Sequence, residues 1–262
     1  MLSAKMYALH GISKKMAQTH EPCSDVHLWF AAVAELEDPN HSAASWAVLS
    51  SSEKQHAARF YFARDRNSFL TSRSLRRHVL SHYVAVEPSQ WQFTSNQYGR
   101  PRIAFPLIDE PLEFNSSKSG DLVVCAVTRG ISVGVDIERL DRPVPRGVAE
   151  STFAPSETAA LDALPCNARS KRFFTHWTLK EAYVKARGLG LSIPLDSVAF
   201  TVTDSPHLNG HLESSAANDC DAWRFTVVSP TLSHIAAVCV RQQFGLGTNM
   251  VVRWVSAVQI PR

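Results

Sequence analysis

The stretch "SVGVDIERL", residues 132–140, sets two carboxylates into an apolar run. Val133, Val135 and Ile137 are β-branched and favour a strand. Side chains at i and i+2 of a strand share a face, so Asp136 and Glu138 point one way and Val135 and Ile137 the other. Like charges held side by side repel and raise a pKa. Either this face lies in water, where most charged residues lie, or a cation offsets the pair. Hard oxygen donors suit magnesium, which is commonly held by one or two carboxylates together with substrate phosphates.

Working outward, "DLVVCAVT" (residues 121–128) reads as a strand, and Arg129–Gly130 turns it into "ISVGVDIE". The pair is predicted to form an antiparallel hairpin. Upstream, "DVHLWFAAV" (25–33) reads as a first strand. Residues 50–84 read as helical, with Phe62, Phe69, Leu70, Leu75, Val79 and Leu80 at mixed three- and four-residue steps. "SNQYGRPRI" is a turn marked by Gly99 and Pro101. Downstream, the connector "LDRPVPRG" precedes helices over 156–164 and 169–187, with Ser156 as N-cap and Gly188 as stop. Strands are predicted over 197–203, 223–228 and 233–240, with the polar loop "DSPHLNGHLESSAANDCDA" between the first two. No strong repeat is present, yet each half reads as helices plus antiparallel strands.

The whole chain sets outer limits. Its 262 residues suffice for one large or two small domains, and 45% apolar with 19% charged residues is ordinary for a globular protein. A net charge of +3 does not suggest a protein that coats nucleic acid. Five dispersed cysteines without a CxxC pair read as reduced thiols of a cytoplasmic protein. No apolar run approaches the roughly 18 residues of a membrane span. Residues 1–24 are read as a flexible extension, without the apolar core of a secretory signal.

A second chemistry-bearing stretch is "FFTHWTLKEAYVKARGLG", residues 173–190. At 100° per residue, Phe173, Trp177 and Val184 fall in one stripe, taken as the core face, with Glu181 and Lys185 on its flank. An i,i+4 pair of this kind is ordinarily a surface salt bridge. At the rim of a buried face, however, the carboxylate can join a metal and the ammonium can hold a phosphate. A third stretch, "FNSSKSG" (114–120), offers small hydroxyl residues, a glycine and Lys118, which suits either an anion-binding loop or a plain loop before a strand.

Together these stretches resemble the surfactin-type 4'-phosphopantetheinyl transferases. The family pattern is roughly G-[IV]-D-[IV]-E followed, later in the chain, by W-x-x-K-E-[AS]-x-x-K-x-x-G-x-G, and every fixed position is present. "YGRP" (98–101) is similar to the family's Gly-Lys-Pro turn, and "FARDR" (62–66) to a basic segment that meets the 3'-phosphate of coenzyme A. The resemblance runs from about residue 26 to residue 240, and the paired long motifs are its specific part. One departure is Lys118, where the family usually carries a histidine that contacts the 3'-phosphate; lysine still donates to phosphate, as a point charge.

The resemblance implies an α+β fold of two pseudo-symmetric halves, residues 25–140 and 141–262, with a ligand cleft between them. It implies transfer of 4'-phosphopantetheine from coenzyme A to a serine hydroxyl of an apo acyl or peptidyl carrier protein, releasing adenosine 3',5'-bisphosphate. Asp136, Glu138 and Glu181 would surround magnesium. Glu181 would also be the base, and Lys185 would stabilise charge on the bridging oxygens. Arg64, Arg100, Ser117, Lys118, Ser119 and Lys185 would hold coenzyme A. Lys180 is expected only to cap solvent-facing charge. The protein is expected to act as a monomer, without nucleic acid or membrane. The rival readings are a magnesium-dependent nuclease or phosphohydrolase built on the same carboxylates, and a carrier- or nucleotide-binding module without turnover.

Overall fold

The computed structural model describes residues 25–203, 209–214, 222–242 and 249–255. The expected N-terminal extension and most of the polar loop after residue 203 lie outside the described residues. In chain order the elements are β1 (Val26–Ala32), α1 (Pro39–Ala47), α2 (Ser51–Ala57), α3 (Ala63–Tyr83), β2 (Gln92–Ser95), β3 (Pro101–Phe105), β4 (Leu112–Ser119), β5 (Leu122–Arg129) and β6 (Val133–Arg139). They continue as α4 (Val148–Thr152), α5 (Pro155–Asp162), α6 (Cys166–Arg187), β7 (Ala199–Thr203), β8 (Asn209–Ser214), β9 (Trp223–Thr231), β10 (His234–Arg241) and β11 (Met250–Trp254).

Four layers stack as helix, sheet, sheet, helix. The first sheet has the order β11-β1-β5-β4 and the second β6-β10-β9, with β2-β3 and β7-β8 as separate ribbons. Period-two alternation explains the stacking. Trp29, Ala31, Val123, Cys125 and Val127 of the first sheet pack on Leu75, Val79 and Leu80 of α3. Their alternates Leu28, Phe30, Val124 and Ala126 pack on Val133, Val135, Ile137, Ala236 and Val238 of the second sheet. The far face of that sheet, with Ile235, Ala237 and Cys239, packs on Phe174, Leu179, Ala182 and Tyr183 of α6. Both sheets are covered on two faces, so their strands are near-continuous buried runs. The α+β class of the sequence reading holds, with a long helix on the outside of each sheet.

Several expectations need correction. β5 and β6 do not form a hairpin: β5 pairs with β1 and β4, and β6 pairs with β10. The Arg129–Gly130 turn carries the chain from one sheet to the other, and the real hairpin is β4–β5. Residues 114–119 of "FNSSKSG" belong to strand β4, with Gly120 just past its end, so the stretch is neither of the loops expected. The helical stretch 50–84 is broken into α2 and α3 at residues 58–62. Helix α5 begins at Pro155 after Ala154, one residue ahead of the expected Ser156 cap. Gly188 does stop α6, in the left-handed conformation at φ 67°. Sheet membership crosses the chain order: β6 belongs to the second sheet, and β11 runs parallel to β1 in the first.

Candidate phosphoryl-transfer site

The face of β6 opposite the sheet interface carries Gly134, Asp136 and Glu138, and α6 lies directly on it. Gly134 makes this contact possible. A Cβ there would lie 2.1 Å from the Ala182 carbonyl oxygen and 2.4 Å from the Ala186 nitrogen. No side chain fits, so only glycine lets α6 come this close. Trp177, Glu181 and Lys185, at successive four-residue steps, then form a stripe facing the two carboxylates. The core face of α6 is correspondingly rotated from the expected stripe: Phe173 and Val184 are buried, whereas Trp177 is half-buried at the rim.

The free edge of β6 is closed by side chains of β4. Asn115 Oδ1 accepts from Val135 N at 3.1 Å, and Ser119 Oγ accepts from Arg139 N at 3.1 Å. Between them, Ser117 Oγ donates to Asp136 Oδ1 at 2.7 Å. Residues 115, 117 and 119 share a strand face, which explains why one alternation of "FNSSKSG" is polar and aimed inward.

Asp136, Glu181 and Lys185 are brought together. Lys185 Nζ donates to Asp136 Oδ1 at 2.6 Å and to Ser117 Oγ at 3.1 Å. Asp136 is 5% exposed, and its other oxygen, Oδ2, is buried without a hydrogen-bond partner among the described residues. Burial, then the charge of Asp136, push the Glu181 carboxyl above the usual range, and Lys185 opposes that rise. Glu138 is placed differently. Its Oε1 accepts from Trp177 Nε1 at 3.1 Å, and its Oε2 accepts from Ser119 Oγ at 2.9 Å and pairs with Arg142 Nη2 at 2.6 Å. Burial and Asp136 raise its pKa as well.

These donors suit magnesium in a particular way. No group of three or more His, Cys, Asp or Glu side chains among the described residues is arranged to hold a metal alone. Asp136 and Glu181 still offer hard oxygens, one of them orphaned and buried. Magnesium asks for one or two carboxylates when phosphates complete its shell. Of the three expected carboxylates, Asp136 keeps a buried oxygen without a partner among the described residues, whereas both oxygens of Glu138 already accept hydrogen bonds.

The other expected ligands separate. Lys118 points to the opposite face of β4, toward the first turns of α3. Burial lowers its pKa, Asp65 opposes that, and Arg73 adds to it. Arg64, in the first turn of α3, has a side chain 84% exposed. Ser117 and Ser119 direct their hydroxyls to Asp136 and Glu138. Arg100 is buried against backbone carbonyls of α6. Lys180, expected at the surface, is fully buried: it pairs with Glu157 Oε2 at 2.6 Å and donates to the carbonyls of Leu195 and Val198. The sequence reading missed Gly134 as a spacer, Trp177 and Arg142 on Glu138, and Arg73 beside Lys118. The four-residue spacing of Trp177, Glu181 and Lys185 was a usable signal for the second; nothing local announces the others.

Two acids, an ammonium and an orphaned oxygen at one seam are the equipment of phosphoryl transfer, where catalysis is positioning plus charge neutralisation. Comparison with known proteins makes the class particular. The family model described as "4'-phosphopantetheinyl transferase superfamily" matches residues 132–239, and that described as "4'-phosphopantetheinyl transferase, N-terminal" matches residues 38–129. The 4'-phosphopantetheinyl transferase HetI of Nostoc sp. is 34% identical over 218 residues, covering 82% of this chain and 87% of its own. The 4'-phosphopantetheinyl transferase Sfp of Bacillus subtilis is 33% identical over 152 residues, covering 58% of this chain and 65% of its own. The chain belongs to the 4'-phosphopantetheinyl transferases. It is thus a transferase, and the nuclease and non-catalytic readings are set aside.

Proposed function

We propose that the protein transfers the 4'-phosphopantetheine group of coenzyme A to a serine hydroxyl of an apo acyl or peptidyl carrier protein. The serine oxygen forms a bond to the phosphorus that bears the pantetheine arm. The bridging bond of the pyrophosphate breaks, and adenosine 3',5'-bisphosphate leaves. The observation that carries this reading is the meeting of Asp136, Glu181 and Lys185 at one seam, in a chain of this family.

Glu181 accepts the serine proton. Its raised pKa brings it closer to neutrality, where a general base works best. Lys185 lies beside the leaving bridge and offsets the charge that builds there. Asp136 orients the Lys185 ammonium through Oδ1 and keeps Oδ2 for a cation. Magnesium, when bound, supplies further neutralisation of the pyrophosphate, and Asp136 and Glu181 are the residues that would hold it. Glu138 orients Trp177 and Arg142 instead. Lys118, with Arg73 nearby, serves the 3'-phosphate together with Arg64. Because the nucleophile belongs to the carrier, no activated serine or cysteine is needed in this chain.

The setting is proposed to be the cytoplasm, with the protein a monomer. Cys125, Cys166 and Cys239 are free thiols, and no helix among the described residues is long and apolar enough to cross a membrane. The test of the function is Glu181→Gln. This variant keeps coenzyme A binding and loses transfer, read as the mass gained by a purified apo-carrier. Full transfer by Glu181→Gln without added metal would remove both roles given to that residue.

A further inference from the structure

The turn between β2 and β3 is held by Asn96, whose Oδ1 accepts from Tyr98 N at 3.0 Å and from Arg100 N at 2.9 Å. Gly99, at φ 84°, closes the turn. This small frame is not aimed at open solvent. It is pressed onto the C-terminus of α6, where the last carbonyls of any helix lack intrahelical partners. Asn96 Nδ2 donates to the Gly188 carbonyl at 2.7 Å. Arg100 Nη1 donates to the carbonyls of Ala186 at 2.5 Å and Lys185 at 3.1 Å.

The other arm of the same guanidinium reaches elsewhere. Arg100 Nη2 donates to the Val133 carbonyl at 3.3 Å and to Glu113 Oε2 at 2.9 Å. Val133 is the first residue of β6, immediately before Gly134. One side chain therefore grips the helix turn that presents Lys185 and the start of the strand that presents Asp136. Arginine has five N–H donors in a fixed fork. Its two Nη groups have four acceptors here, and its side chain is 8% exposed. Little of it is left for a ligand. The helix end also favours a cation there, because carbonyl dipoles converge on it. Gly188 answers to the same contact: a Cβ there would lie 2.9 Å from Arg100 Cδ.

We infer that Arg100 is a positioning residue, a clamp that sets Lys185 against Asp136 by tying the last turn of α6 to β6, and that it does not hold the nucleotide. The inference rests on the site reading above, in which Lys185 and Asp136 act on the phosphates. A displaced helix turn is enough to matter, since a misplacement of about 1 Å can lower a rate on the order of 100-fold.

The test compares Arg100→Met, Arg100→Lys and Lys118→Ala by calorimetric titration of coenzyme A and dephospho-coenzyme A, and by kcat and KM with an apo-carrier. Arg100→Met should lower kcat on the order of 10- to 100-fold. The wild-type preference for coenzyme A over its dephospho form should be unchanged. Lys118→Ala is the contrast, with the preference for coenzyme A over its dephospho form reduced. Arg100→Lys should stay impaired, because an ammonium cannot span acceptors on a helix and a strand at once. It should also speed hydrogen exchange of the amides near residues 184–188, which keeps the test open should Arg100→Met fail to fold. A selective loss of coenzyme A affinity in the Arg100 variants, or full rescue by lysine, overturns the clamp. Unimpaired turnover in Lys185→Met would instead remove the site reading on which the clamp depends.

Discussion

At the scale of single residues, the two acids on β6 have opposite fates. Asp136 keeps an oxygen free, whereas Glu138 has both engaged. Asp136→Asn keeps the shape and removes the charge; transfer should fall by about 100-fold or more, the usual size of a lost electrostatic stabiliser. Turnover by that variant at the wild-type rate in limiting magnesium would refute the assignment. Glu138→Gln should cost less activity than Asp136→Asn, since its contacts orient Trp177 and Arg142. The pH dependence has a definite sign. Glu138 and Glu181 are both raised in the folded, ligand-free protein, by burial first and then by neighbouring carboxylates. The folded chain thus holds protons that the unfolded chain has released. Stability from this source is present at acid pH and is lost as pH rises from the ordinary carboxylate value of 4.5 through the raised one. Glu181→Gln should therefore raise the Tm of the ligand-free protein at pH 7 and leave it nearly unchanged at pH 4. Equal shifts at both pH values would show that the charge is not the cause. Lys118→Ala should weaken coenzyme A by ~1.5–3 kcal/mol, the worth of a hydrogen bond to a charged group. It should spare dephospho-coenzyme A. These acids were legible because a β-branched strand fixes which way they point. Which of them stayed free was not, since that depends on Ser119, Trp177 and Arg142 arriving from other elements.

At the scale of elements, the site is a contact between one strand and one helix, and its distance is set by Gly134. Gly134→Ala would force a methyl group into the backbone of α6. Overpacking of this kind typically costs 1–3 kcal/mol. Here the obstructing atoms are backbone, so the helix itself must move. A lower Tm together with a disproportionate loss of kcat is expected, and an unchanged kcat would mean that the β6–α6 distance is not critical. The other face of α6 is anchored by Lys180 on Glu157, both fully buried. Glu157 also accepts from the backbone of Ala154 and Phe200, so this pair ties α5 and β7 to α6. Removing one partner leaves a buried charge unpaired: Lys180→Met should destabilise by ~3–5 kcal/mol in denaturant titration. The double change with Glu157→Gln should destabilise less than the two single changes summed. The sequence pattern located α6 and its glycine stop well, because a long periodic run ending in glycine is a strong signal. It misjudged the depth of burial, because α5, β7 and the turn at 195–198 cover faces that a helical wheel treats as solvent.

At the scale of the whole molecule, two sheets meet face to face and each carries a long helix on its outer side. The seam where the edge strand β4 lies along the edge strand β6 joins them and builds the site. This explains a failure of the sequence reading. β5 is a continuous apolar run and β6 an adjacent β-branched strand just past a turn, which is how a hairpin looks from sequence. A run buried on both faces, as β5 is, carries no alternation to say which strand it pairs with. β11 escaped notice because it is short and pairs with β1 at the far end of the chain. The helix-and-strand composition of each half was legible; the exchange of β6 and β11 between sheets was not. The role of the seam is tested by intact-mass analysis of an apo-carrier incubated with coenzyme A, magnesium and either the wild type or Lys185→Met. The wild type should add one phosphopantetheine to the carrier serine, and Lys185→Met, still folded and still binding coenzyme A, should add it at least about 100-fold more slowly. Equal rates for the two proteins would contradict it.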